Sequence, residues 1–214
     1  MKEKNEYLEI DEIGNLIDNI EMVAHFLESS MEYKWKWVII ALYQAIYSAF
    51  ICTLSGTDPR QTVIDRNKDT GRAVMLHVNR APIDIIASSL SKDEDTIREW
   101  LTNPYLIGFD EALRRVKRRE SLPALTNAKP LSTTSDEDDA IRALSKEFRN
   151  EFEHFAPKGW LIAKSVFPPI LRHTMRVIRF LVQESNCIVL SDEQKKRIDI
   201  ALNDVDNFVS SEDT

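Results

Sequence analysis

The sequence predicts an all-α fold, and three observations carry that expectation. Apolar residues recur at spacings of three and four along long stretches near both ends of the chain, the period of an amphipathic helix. Glycine is scarce, with 5 in 214 residues, and the chain is broken instead by prolines and short turn clusters. Within 55–134 short helical patterns stand between the breaks, with no internal repeat and no glycine-rich phosphate loop. The length suits a single domain over 1–214, with a helical insertion over 55–134 between long bundle helices.

The first helix is expected from about Tyr7 to Ser30, with Ile10, Ile13, Ile17, Ile20, Ala24 and Leu27 on its buried side. His25 falls off that stripe and reads as exposed. The second, from about Met31 to Leu54, is far more apolar. Its run from Trp37 to Phe50 is nearly long enough to cross a bilayer, and Lys34 and Lys36 precede it. Tyr43, Gln44, Tyr47 and Ser48 interrupt it, so it reads as a helix buried on most sides of a bundle, with no membrane partner. Gln44, Tyr43 and Tyr47 supply polar ends able to reach a site around Arg149.

Within 55–134, a turn is expected at Gly56–Pro59 and breaks at Gly71, Pro82, Pro104, Pro123 and Pro130. Short helices are expected over Ile83 to Leu90, Asp93 to Leu101 and Phe109 to Arg119, with Ser91 or Asp93 capping the second. The last ends in the dense basic run Arg114, Arg115, Lys117, Arg118 and Arg119. Cations suit a helix C-terminus, and Asp110 and Glu111 stand at pairing distance in sequence. The run therefore reads either as a solvated helix end or as a phosphate-contacting lip. Leu122 to Thr134, rich in Pro, Ser, Thr and Asn, reads as a mobile connector.

Ser135 then caps a long helix whose first turn is acidic, as the helix dipole favours. Ile141, Leu144, Phe148, Phe152 and Phe155 form its apolar stripe. On a uniform wheel with Arg149 at zero, that stripe centres near about −100°, while Glu153, Asn150 and His154 lie near roughly 40°, 100° and 140°. Arg149 and His154 thus flank the direction away from the core, with Asn150 between them and Arg142 and Lys146 on the arginine side. Such a face must meet water, a ligand or a second subunit.

After this helix, Pro157 and Gly159 signal a stop. Pro168-Pro169 opens another helix, with Ile170, Leu171, Thr174, Val177, Ile178 and Leu181 on one side and Arg172, Arg176 and Arg179 on the other. His173 lies between the faces and reads as structural. Ser191 opens a last helix to about Val209.

Arg149-Asn150-x-x-x-His154 on an amphipathic helix resembles the signature of the HEPN superfamily, all-α proteins with an arginine and a histidine four to six residues apart. Asn150 matches the asparagine that often follows the arginine. The HEPN toxins paired with nucleotidyltransferases carry a tyrosine two residues after the histidine; here that position is Ala156, which argues against control through that tyrosine. The resemblance implies metal-independent RNA cleavage, with Arg149, Asn150 and His154 as the active residues and Arg142, Lys146 and the basic run as RNA contacts. It also implies a homodimer with a composite site, a toxin or antiviral-defence setting, and an antitoxin or regulatory partner. The residue types suit the chemistry. A histidine titrates near neutrality and can take a proton from a ribose 2′-OH, and an arginine can hold the charge of a crowded phosphate. The runner-up is a HEPN module that binds nucleotide or RNA without cutting. In a third reading the motif is coincidental, and an Arg149–Glu153 pair on an open surface would mark it.

A net charge of −7 makes the chain a poor generic nucleic-acid binder, so an RNA function must rest on a local basic patch. Cys52 and Cys187 form neither a disulfide framework nor a metal-ligand spacing, and no metal or cofactor is expected. The polar opening from Met1 to Glu12 is no secretory signal, which leaves the cytoplasm as the expected location.

Overall fold

The computed structural model describes residues 10–55, 64, 68–102, 105–124, 127–153 and 161–212. α1 (Glu12–Glu28) begins where the Asp11 carboxylate accepts the Gly14 N–H, an N-cap that satisfies an orphan donor. Leu16, Ile17, Ile20, Val23, Ala24 and Leu27 form its buried stripe, and His25 is exposed as expected. Ile10 precedes the helix and is exposed, because the Asp11 cap starts the helix after it.

α2 (Lys34–Ser55) is long and apolar enough to cross a membrane by length and composition. In the structure its apolar side chains are buried in the protein's own bundle, from Val38 through Leu54, with α1 packed along it. α2 is therefore the axis of the core.

Three short helices come next: α3 (Asp69–Val78), α4 (Ile83–Leu90) and α5 (Glu94–Thr102). α4 has the bounds its sequence predicts. It ends at Ser91, whose φ of 53° is left-handed and turns the chain out of the helix. Asp93 caps α5, accepting the Thr96 N–H at 2.8 Å and the Thr96 hydroxyl at 2.7 Å. Ala73, Ile86, Ala87, Leu90 and Ile97 form a small core separate from the main one.

α6 (Phe109–Val116) belongs to the main bundle, which it enters through Phe109, Ala112 and Val116. The basic run does not continue this helix to Arg119; a short 3-10 turn, Arg119–Ser121, succeeds it instead. The segment up to α7 is not the loose connector its composition suggests. Leu122, Ala128 and Leu131 are buried, the Leu131 N–H donates to Val116 O at 2.9 Å, and the Lys129 N–H donates to Ser185 O at 2.8 Å. Proline, serine and threonine exclude a helix here, but they leave backbone donors and three apolar side chains to be satisfied. Of the expected insertion, 69–102 has its own core, whereas 109–134 packs into the bundle.

α7 covers 135–153 as one rod in three parts: α-helical Ser135–Arg142, π-helical Ala143–Phe148 and α-helical Arg149–Glu153. Its N-cap is Thr134, one residue before Ser135, because Thr134 and Glu137 form a reciprocal capping box. Phe148 is buried; Phe152, expected to be buried, is half-buried at the edge of the core. α8 (Phe167–Arg179) runs on into a second π segment, Phe180–Glu184, and buries Ile170, Leu171, Thr174, Val177 and Ile178 as predicted. Ser191 and Gln194 then exchange hydrogen bonds at the start of α9 (Asp192–Glu212). Among the described residues the one β-type pairing is an isolated bridge between Ile64 and Leu106. The expected turn at Gly56–Pro59, the break at Pro104 and the helix stop at Pro157–Gly159 lie outside the described residues.

Candidate active site

The π segment decides where Arg149 points. Inside it the Arg149 N–H donates to Leu144 O, five residues back rather than four. The wider turn admits an extra residue, so the side chains beyond it are set back by up to about 100° from a uniform α-helix. That rotation moves Arg149 from the outward direction toward α2. Its guanidinium carbon stands 5.0 Å from the centroid of the Tyr43 ring. Nη2 pairs with the Glu153 carboxylate at 2.8 Å, and Nη1 donates to Asn150 Oδ1 at 3.0 Å. The buried Nε has no hydrogen-bond partner among the described residues. The pair is not on an open surface, since the Arg149 and Glu153 side chains are 28% and 23% exposed.

Tyr43 is itself fixed. Its ring stacks on Phe109 of α6 at 5.0 Å, and Phe109 meets Phe50 edge-on at 5.4 Å. One turn on, the Tyr47 hydroxyl donates to Ile107 O at 2.6 Å, tying α2 to the residues that lead into α6. Burial pushes the Tyr43 hydroxyl above its ordinary pKa; the Arg149 charge pulls the other way, and Glu153 and Asp110 add to the rise. The ring is therefore a neutral phenol under ordinary conditions.

α6 lies antiparallel beside α7, joined at both ends by ion pairs. Asp110 holds Lys146, and Lys117 reaches Asp138 at 2.6 Å and the Thr133 hydroxyl at 2.6 Å. Burial pushes the Asp138 carboxyl up, but the hydrogen bonds from Lys117 and Thr133 and the Lys117 charge outweigh it and hold it below the ordinary value. Lys117 thus sits at the N-terminal end of α7, roughly 15 Å along the rod from Arg149.

The other predicted contacts are spread along the two helices. Arg114 and Arg115 share Glu111, and Arg119 donates to Pro123 O at 3.3 Å, while Arg118 is exposed. Arg142 pairs with Asp139 at 3.1 Å and is 66% exposed. Asn150 is exposed beside Arg149. His154 lies outside the described residues. The structure therefore brings Arg149, Asn150 and Lys146 to one end of the α6–α7 pair and leaves the basic run at the other. Arg114, Arg115, Lys117, Arg142, Lys146 and Arg149 each pair with a carboxylate.

Sequence reasoning brings Tyr43 within reach of the Arg149 site but not as its seat. It marked the tyrosines of α2 for their polar ends, whereas the ring face makes the contact. Helical spacing puts Asp110 within reach of Arg114, yet its carboxylate crosses to Lys146. Among the described residues no three His, Cys, Asp or Glu side chains converge as metal ligands. Both cysteines are free and buried; burial pushes the Cys52 thiol up to about 12. No family model, no curated protein and no solved structure matches this chain.

Proposed function

We propose that the chain is a metal-independent RNA endonuclease of the HEPN type, acting as a cytoplasmic homodimer in a toxin or defence setting under an antitoxin or similar regulator. The observation that supports this is the held guanidinium of Arg149, seated over Tyr43 and fixed by Glu153 and Asn150. An arginine that stabilises a crowded phosphate is most effective when it stands in place before the charge develops. His154, five residues on, takes the 2′-OH proton. The 2′-oxygen attacks phosphorus, the bond to the 5′-oxygen breaks, and that oxygen is protonated as it leaves. The motif supplies one histidine per chain, so the acid comes from a second copy related by a twofold axis.

The test is digestion of RNA in EDTA by the native chain and by Arg149→Ala and His154→Ala. We expect products ending in 2′,3′-cyclic phosphate and 5′-OH, blockage by a 2′-deoxy substitution at the cut, and losses of about 10²–10³-fold for the arginine and 10²–10⁴-fold for the histidine. Cutting that survives His154→Ala removes this histidine from the mechanism. The alternative is a module that binds RNA without cutting it. RNA bound but left whole by the native protein would establish that reading instead.

A further inference from the structure

The side chain under Arg149 belongs to a helix more than a hundred residues away in sequence and outside the motif. We infer that Tyr43 is a positioning residue for Arg149: its ring face, backed by Phe109, sets where the guanidinium stands before a phosphate arrives. The inference rests on the RNA-cleaving reading above. Arg149 stands 5.0 Å over a ring that is only 8% exposed and cannot swing away, because Phe109 stacks on it at 5.0 Å with an interplanar angle of 19°. The neutral phenol attracts the cation through its π face rather than through phenolate charge. Glu153 and Asn150 engage the two Nη atoms while Nε is buried without a described partner. A donor left unsatisfied in that way is drawn toward water, and the ring opposes the movement. A leucine at 43 would fill space but offer no such face.

The experiment measures RNA cleavage by the full chain with phenylalanine at 43 as the reference, then with mono-, di- and trifluorinated phenylalanine at the same position. Fluorination weakens the negative ring face stepwise at nearly constant volume. We expect kcat to fall in order along the series, reaching about 2- to 30-fold, with little change in KM. Tyr43→Leu should lie at or beyond the end of the series; if it fails to fold, the fluorinated chains still decide. A flat kcat across folded fluorinated chains overturns the inference while leaving the RNA reading intact. RNA left whole by the native chain overturns both.

Discussion

Phe109 is the joint between α6 and the rest of the site, so Phe109→Ala is the most informative single truncation. The ring is 9% exposed and touches three others: Tyr43 at 5.0 Å, Phe50 at 5.4 Å and Tyr47 at 6.0 Å. Emptying such a site costs about 3–5 kcal/mol, and ring pairs of this kind add about 0.5–1.5 kcal/mol each beyond area, so the upper half of that range is expected. The other tie between α6 and the distal half of α7 is the Lys146–Asp110 pair, whose side chains are 56% and 66% exposed. Lys146→Ala should therefore cost less than about 1 kcal/mol. Urea unfolding followed by tryptophan fluorescence separates the two, with Trp35 reporting on the main core. A loss under about 1.5 kcal/mol for Phe109→Ala, or a larger loss for Lys146→Ala, would mean that charge rather than ring packing seats α6.

Ile97 is fully buried in the small core over 69–102, so Ile97→Ala should loosen α3–α5 by about 2–5 kcal/mol while the bundle stays folded; hydrogen exchange that rises equally in α1 and α2 would contradict the separation of cores. Cys52 is raised from 9.0 to about 12, so the stabilisation it lends is complete below pH 9 and is lost between pH 9 and 12 as the unfolded thiol ionises first. A rise of that size corresponds to as much as about 4 kcal/mol, and Cys52→Ala should flatten alkaline unfolding in that window. Glu153→Gln releases Arg149 Nη2 and should tighten RNA binding by up to about 5-fold, with an effect on cutting far milder than that of Arg149→Ala; an equally severe loss would place Glu153 in the chemistry.

Much of the architecture is legible in the sequence because it depends on local signals. The bounds of α4, the Asp93 cap, the Ser191 cap and the apolar side of α8 all arise from spacing and capping chemistry. The features that escape are those local signals do not encode. The π segment of α7 leaves no trace in the apolar pattern, since Ile141, Leu144 and Phe148 keep their spacing through it. A uniform wheel therefore points Arg149 outward, whereas the structure seats it on Tyr43. Likewise Asp110 has cationic partners in reach on its own helix, and only the seating of both α6 and α7 against α2 brings Lys146 to it. The segment before α7 looks mobile by composition, but its order comes from Ser185 and Val116, both distant in sequence.

The carboxylates paired with Arg114, Arg115, Lys117, Arg142, Lys146 and Arg149 have a thermodynamic consequence. A bare cationic groove gains affinity for a polyanion largely because condensed small ions are set free into solution, and that gain fades steeply as salt rises. Here the counter-charges are covalently part of the protein and cannot diffuse away. A polyanion docking along α6 and α7 must exchange partners with Glu111, Asp138, Asp139, Asp110 and Glu153, which must then be rehydrated or turned aside. Its affinity would be modest at low ionic strength and would fall with added salt less steeply than the number of cations on the face implies.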